Sequence, residues 1–271
     1  MSNAYVHGYS SEENIRLADQ ADTLAELLHC DTRYPANSRV LEAGCGVGAQ
    51  TVYLAANSPG AKITSIDISA LSLAEAEETI RGQGLTNVEF QKADLFDLPY
   101  EAESFDHVFA CFVLEHLPEP VAALKALRRV VKKGGTLTVI EGDHGSYYCH
   151  PRSVYADRVV QCLVDVQAAA GGDALIGRRL YPLLRQSGFA DITVSPRMVY
   201  VDAGRPTWVE GFTKNTFTAM VSGVRDKALG MDLIDGAAWD RGIADLLRTT
   251  EADGTFCYTF FKAIGVNPKG L

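Results

Sequence analysis

A chain of 271 residues with 47% hydrophobic and 22% charged side chains is long enough to bury the core of one large domain. The formal net charge of −9 and the absence of any Lys/Arg run argue against a nucleic-acid or anionic-membrane partner. The opening residues MSNAYVHGYS lack a charged-then-apolar leader pattern. The longest apolar run, Val108 to Leu114, is far short of the roughly 20 residues of a membrane span, and the six cysteines form no CxxC pair, so a cytoplasmic protein with free thiols is expected.

Ser10 and Glu13 have capping-box spacing, and Leu17, Ala21, Leu24 and Leu28 recur at helical intervals, which predicts an amphipathic helix from about Ser11 to His29. From Arg39 the pattern alternates. RVLEAG reads as a strand, AQTVYLAAN as a helix, KITSIDIS as a strand, and ALSLAEAEETIRGQG as a helix stopped by Gly82 and Gly84. NVEFQKADL and FDHVFACFVL read as the next two strands, EPVAALKALRRVV as a helix, and TLTVIEG as the fifth strand. Beyond His150 the rhythm changes: helix over RSVYADRVVQCLVDVQAAA, a helix and sixth strand within GRRLYPLLRQSGFADITVSPRMVYV, a mostly helical Trp208 to Thr250, and a last strand in GTFCYTFFKAIGV. Strands separated by helices imply an α/β fold with a doubly wound, mostly parallel, seven-stranded sheet. No repeat, low-complexity tract or linker is visible, so residues 1–271 are expected to form one domain. Its parts are an N-terminal helical segment (1–38), a ligand-binding core (39–150), a completion of the core with an inserted helical cap (151–250), and the last strand (251–271).

LEAGCGVGAQ sets Gly44, Gly46 and Gly48 between a strand and a helix, where glycine allows a sharp turn and close approach to a ligand. Gly44-x-Gly46-x-x-Ala49 also satisfies the looser dinucleotide fingerprint. Glu42, two residues before the first glycine, is placed to reach a cationic amine. Asp67, ending the next strand, is placed to accept from the two hydroxyls of a ribose.

The ordered set VLEAGCGVG, SIDIS, KADLFDLP, FDHVFACFVLEHL and GGTLTVIEGD resembles the class I S-adenosylmethionine-dependent methyltransferases, with their Rossmann-like fold, over about Arg39 to Gly142. The resemblance implies S-adenosylmethionine as cofactor and S-adenosylhomocysteine as product. It sets the methionine moiety over Gly44, Cys45, Gly46 and Gly48, with Glu42 and Gln50 nearby, and the ribose on Asp67 and Ser69. Ile68 would lie against the adenine, Asp94 would receive its amino group, and Leu95 and Phe96 would stand beside it. Cys111, Phe112 and His116 would line the cofactor or substrate side of the fourth strand.

The stretch VIEGDHGSYYCH, Val139 to His150, follows an apolar strand with two histidines, a cysteine and two tyrosines among its acids. In an open parallel sheet ligands sit at the carboxyl ends of the strands. His144 is therefore expected to face the transferred methyl group as a general base, its ring oriented by Glu141 or Asp143. A metal reading would need Asp143, His144, Cys149 and His150 to converge. Their spacing fits no familiar ligand pattern, so no metal is expected. A polar loop with only a structural role is the third reading.

YVHGYS before the first helix and VIEGDHGS together resemble a bacterial subgroup of small-molecule methyltransferases of natural-product pathways, which includes enzymes that methylate carbon in indoles or prenyl chains. By that resemblance Tyr9 would close over the cofactor and share the catalytic site with Glu141 and His144. Tyr5, Phe112, Asp143, Tyr147 and Tyr181 would contact the substrate. The expected activity is C-methylation of a small aromatic or isoprenoid metabolite, with O- or N-methylation as the alternative. A nicotinamide oxidoreductase and a catalytically silent cofactor-binding regulator are the other classes the residues allow. A homo-oligomer through the N-terminal helix is a further expectation.

Overall fold

The computed structural model describes residues 11–269, the side chains of 11–15, 17 and 18 excepted. Helix α1 spans Ser11–His29. The alternating region then gives β1 (Arg39–Ala43), α2 (Thr51–Asn57), β2 (Lys62–Asp67), α3 (Ala70–Gly82), β3 (Val88–Lys92), β4 (Phe105–Cys111), α4 (Pro120–Val130) and β5 (Val131–His150). The rest comprises α5 (Val154–Ala169), α6 (Leu180–Gln186), β6 (Ala190–Asp202), α7 (Pro206–Trp208), a π-helix over Val209–Thr218, α8 (Ala219–Ser222), α9 (Arg225–Gly230), α10 (Gly236–Arg248) and β7 (Thr255–Val266).

The seven strands form one sheet in the order β3-β2-β1-β4-β5-β7-β6. β1 pairs in parallel with both β2 and β4, β2 with β3, and β4 with β5. Strand β7 runs antiparallel to β5: Asn267 exchanges backbone bonds with Gly134 and Gly135, and Ser146 meets Thr259. The strand order therefore reverses between β1 and β4, which opens a crevice beyond their carboxyl ends.

The chain gathers into two compact units. One comprises Ala25–Glu141, Gly177–Ser195 and the chain from Phe261. Its core is the apolar run of β1 and β4 (Val40, Leu41, Val108, Phe109), to which α4 adds Ala123, Leu124 and Leu127, all fully buried. At its edge the buried Lys262 of β7 donates to Asp31, to Thr32 and to the Leu28 carbonyl in the last turn of α1. A cation there satisfies an orphan carbonyl and suits the negative helix end.

Among the described residues, the other unit comprises 11–24, Gly142–Ile176 and Pro196–Phe260. Its core is aromatic, built on Phe212, Phe217, Phe256, Tyr258 and Trp239. Phe212 and Phe217 are five residues apart in the π-helix, whose i→i+5 register sets them one above the other, and both pack on Phe256 and Tyr258. Thr216 bonds back to the carbonyl of Gly211, and any Cβ at Gly211 would collide with Thr23 of α1.

The expectation of a polar loop after Gly142 is corrected: Asp143 to His150 continue β5. These residues carry few apolar side chains, yet β7 lies beside β5, and the Ser146 hydroxyl both donates to the Thr259 carbonyl and accepts from the Thr259 N–H.

Candidate functional site

Beyond the carboxyl end of β1, the loop turns at three glycines with positive φ, Gly44 (75°), Gly46 (53°) and Gly48 (82°). The reasons differ. A Cβ at Gly44 would press to 2.6 Å from the Val113 side chain, and one at Gly48 to 3.0 Å from Ala76, whereas nothing lies within 4 Å of a Cβ at Gly46. Gly46 thus presents bare backbone to open space, as close approach by a ligand requires. Its N–H donates to Asp67 Oδ2 at 2.9 Å while Ser69 N–H donates to Oδ1 at 2.9 Å. Both oxygens are held in place, and each retains a lone pair for a hydroxyl. Ser69 also caps α3 through its hydroxyl, which accepts from Ser72.

Glu42 is buried in β1, where Oε2 accepts from the hydroxyls of Thr51 (2.8 Å) and Ser65 (2.6 Å). Burial pushes its carboxyl up to about 7; the two hydroxyls oppose that shift and the nearby Asp67 charge adds to it. Gln50 precedes α2, its carbonyl oxygen 2.7 Å from Nε2 of the buried His29, a ring stacked on Tyr53. The Cys45 and Cys111 thiols are buried and held well above the ordinary thiol range, chiefly by burial, which makes them packing groups.

Two large apolar side chains face outward, Ile68, next to Asp67 in the chain, at 60% exposure and Phe96 at 45%. Asp94 turns its chain through Oδ1, which accepts from Phe96 N–H at 2.8 Å, with the half-buried Leu95 between them. Phe112, just past β4, holds φ at 58°, a left-handed conformation that is costly for an aromatic residue and typical of constrained sites. The next two amides, Val113 and Leu114, both donate to Glu141 Oε1, at 3.0 and 2.7 Å. Glu141 Oε2 is buried with no partner among the described residues, and the carboxyl is held well above its usual range by burial and by the Glu115 charge. Glu141 is therefore the anchor of the loop after β4. His116 ends that loop with Nε2 3.6 Å from Glu115.

In the aromatic unit, His144 is 4% exposed. Its Nδ1 lies 2.7 Å from the Tyr258 hydroxyl, its backbone N–H donates to Ala174, and its ring meets the Phe217 ring edge-on at 6.4 Å. The group on Nδ1 is a phenol, while Glu141 Oε1 accepts from the Val113 and Leu114 amides. Asp143, also buried, spends Oδ1 on the Gly145 amide. Tyr147 packs on Phe217 and Phe256 and donates its hydroxyl to Asp157 at 2.6 Å. Tyr181 is an exposed residue of α6 in the other unit. Tyr5 and Tyr9 lie outside the described residues. Tyr258 is the residue that sequence reasoning missed: it lies 114 positions from its partner, and its only signal is a place within the aromatic alternation of the last strand.

Residues 41–139 match the family described as "Methyltransferase domain". The match runs from within β1 to within β5. An uncharacterized protein of Synechococcus, syc1184_c, is 31% identical over 67% of this chain and 49% of its own length. Methyltransferase GfsG of Streptomyces halstedii is 32% identical over 46% of this chain and 45% of its own. The chain thus spans about half the length of the curated relatives it matches. Among solved structures, phosphoethanolamine N-methyltransferase 2 of Haemonchus contortus, bound to phosphomonomethylethanolamine and S-adenosylhomocysteine, superposes with a TM-score of 0.59 at 17% identity. That match covers 96% of this chain and 58% of the other. The fold is that of the class I S-adenosylmethionine-dependent methyltransferases.

Residues 41–139 fit S-adenosylmethionine, the cofactor that the sequence resemblance implies. The bare backbone at Gly46, the fixed Asp67 carboxylate and the uncovered faces of Ile68 and Phe96 are groups suited to a polar chain, a ribose and a planar base. The raised carboxyl of Glu42 adds a pH dependence. Its folded value near 7 exceeds the value of an exposed glutamate, so the folded state holds an extra proton from about 4.5 up to 7, and stability falls as pH rises through that window. A pairing of Glu42 with the ammonium of S-adenosylhomocysteine would require the carboxylate. Affinity for that ligand should accordingly be about tenfold weaker at pH ~6 than at pH ~8, with a proton released on binding. Isothermal titration in buffers of different ionisation enthalpy checks this; a flat affinity without proton release would detach Glu42 from the amine.

Proposed function

We propose that the whole protein is an S-adenosylmethionine-dependent methyltransferase that methylates carbon on a small aromatic or isoprenoid metabolite of a natural-product pathway, with His144 as the base. Residues 1–271 are read as one methyltransferase domain in which 151–250 form the substrate cap. The observation that carries the reading is the pairing of a methyltransferase domain with a buried histidine walled by aromatic rings. Apolar walls with few polar groups suit an apolar substrate. The similarity to methyltransferase GfsG supports the reaction class. Glu42, Gly44 to Gly48, Gln50, Asp67 to Ser69 and Asp94 to Phe96 hold the cofactor in this reading, with Phe112 and His116 beside the transferred group.

When bound, the cofactor supplies an electrophilic methyl group. The chain's part is to hold the nucleophile in line and exclude water, and to accept the proton that the product sheds. Glu141 fixes the strained turn at Phe112 by gathering the amides of Val113 and Leu114.

The test is incubation with ¹³C-methyl-labelled S-adenosylmethionine and a panel of indoles, phenols, prenylated aromatics and carboxylates, read by a carbon–proton correlation spectrum. A new methyl on carbon is expected. A methyl on oxygen or nitrogen would replace C-methylation with its alternative, and cofactor binding without any labelled product across the panel would count against catalysis on these substrates.

A further inference from the structure

The amino ends of β4 and β5 carry a feature that methyl transfer does not use. A cavity of about 380 Å³, a size within the range of small-molecule sites, is bounded there by the turn before β4, the end of α4, the start of β5 and the chain after β7. Five of its lining residues are cations: Lys125, Arg128, Arg129, Lys133 and Lys269. In a chain with 34 acidic side chains against 25 Lys and Arg, such a gathering runs against the overall balance. Like charges around one cavity repel unless something negative stands between them. The protein supplies little: Glu103 is the one carboxylate in the lining, and none of the five cations forms an ion pair among the described residues. The neighbouring Lys132, by contrast, pairs with Asp106 at 2.7 Å.

Neutral groups hold the two arginines. Arg129 donates Nη1 and Nη2 to the carbonyls of Tyr100 and Leu98, at 2.7 and 2.9 Å. Arg128 donates Nε to Oδ1 of the buried Asn267 at 3.1 Å, and that amide donates in turn to the Val131 carbonyl at 2.8 Å. A Cβ at Gly188 would come within 2.6 Å of Arg128 Nη1, so this glycine leaves the guanidinium its place. The Arg128 fork is thereby preset, and its terminal nitrogens donate to nothing among the described residues. Both arginines stand in the last turn of α4, where a cation suits the negative helix end. That accounts for two of the cations and leaves the exposed Lys125, Lys133 and Lys269 without a structural role.

We propose that this cavity is a binding site for a small oligophosphate. A guanidinium fork matches paired phosphate oxygens, and the lysines add compact charges from other sides. Tetrahedral groups in series present oxygens in all directions, as cations spread over α4, β5 and the final segment require; planar carboxylates do not. The lining holds no aromatic ring on which a base could stack, so the phosphates themselves are what is recognised. Strand β4 spans seven residues, which sets the site about 20 Å from the carboxyl ends of β1 and β4, at the opposite end of the sheet from the glycine turn. Binding there requires neither cofactor nor methyl acceptor.

Calorimetric titration of the full chain with inorganic triphosphate at low ionic strength is the test, with citrate as a carboxylate of similar charge. One equivalent of triphosphate is expected to bind, and citrate to bind more weakly. The combined substitution Lys125→Gln, Lys133→Gln and Lys269→Gln, confined to exposed side chains, should weaken triphosphate binding about tenfold or more. Arg128→Lys keeps the charge but loses the fork, and should weaken it about tenfold by itself. Melting curves without ligand establish that each variant is folded. Absence of triphosphate binding, citrate bound as tightly, or wild-type affinity in the folded triple variant would overturn the assignment. Undiminished affinity in a folded Arg128→Lys would overturn it as well, leaving only diffuse attraction between charges.

Discussion

Replacing His144 with alanine is expected to lower the turnover rate by about 10²–10⁴, the range for loss of a general base. The effect should fall on kcat with little change in cofactor affinity, since the residues assigned to the cofactor lie in the family match of residues 41–139 or close to it in the chain. Some stability will go too. The substitution removes a buried ring from Phe217 and leaves the Tyr258 hydroxyl without its Nδ1 partner, a cost of about 1–3 kcal/mol. Single-turnover kinetics at a temperature well below the melting transition separate the two. A folded variant with wild-type turnover would remove His144 from the mechanism.

Asp67→Ala is expected to weaken S-adenosylhomocysteine binding about 10- to 100-fold. A charge-assisted pair of ribose contacts accounts for about 1.5–3 kcal/mol of that. The structure adds a second cause: the same carboxylate holds the amides of Gly46 and Ser69, so its removal also frees the turn on which the ligand rests. Asp67→Asn should recover part of the loss, because one amide oxygen still accepts while the new NH₂ faces a backbone N–H. Calorimetric titration of both variants checks this ordering, and unchanged affinity in Asp67→Ala would mean the ribose lies elsewhere.

The cofactor half of the molecule was legible because its signals are local. Glycines at a strand end, an acid closing the next strand and 3.6-residue periodicity between them each report on their own neighbourhood, and β1 through α4 lie where those patterns set them. The second half of β5 was not. Its residues are polar and crowded, so they read as a loop, and what makes them a strand is β7, more than a hundred residues later. The same non-locality hid Tyr258. In a loop, residues three apart meet freely, whereas in a strand they leave by opposite faces. Glu141 accordingly serves the backbone after β4, and His144 finds a phenol.

The π-helix at Val209–Thr218 bears on how this protein varies through descent. In an ordinary α-helix two residues five apart point about 140° away from each other; here Phe212 and Phe217 share a face because the segment winds more widely. The alignment depends on spacing more than on identity. An exchange of Phe212 for leucine or methionine keeps the face, while deleting one residue between the two rings turns one of them outward from Tyr258. In this stretch the packing on Tyr258 therefore depends more on segment length than on side-chain identity.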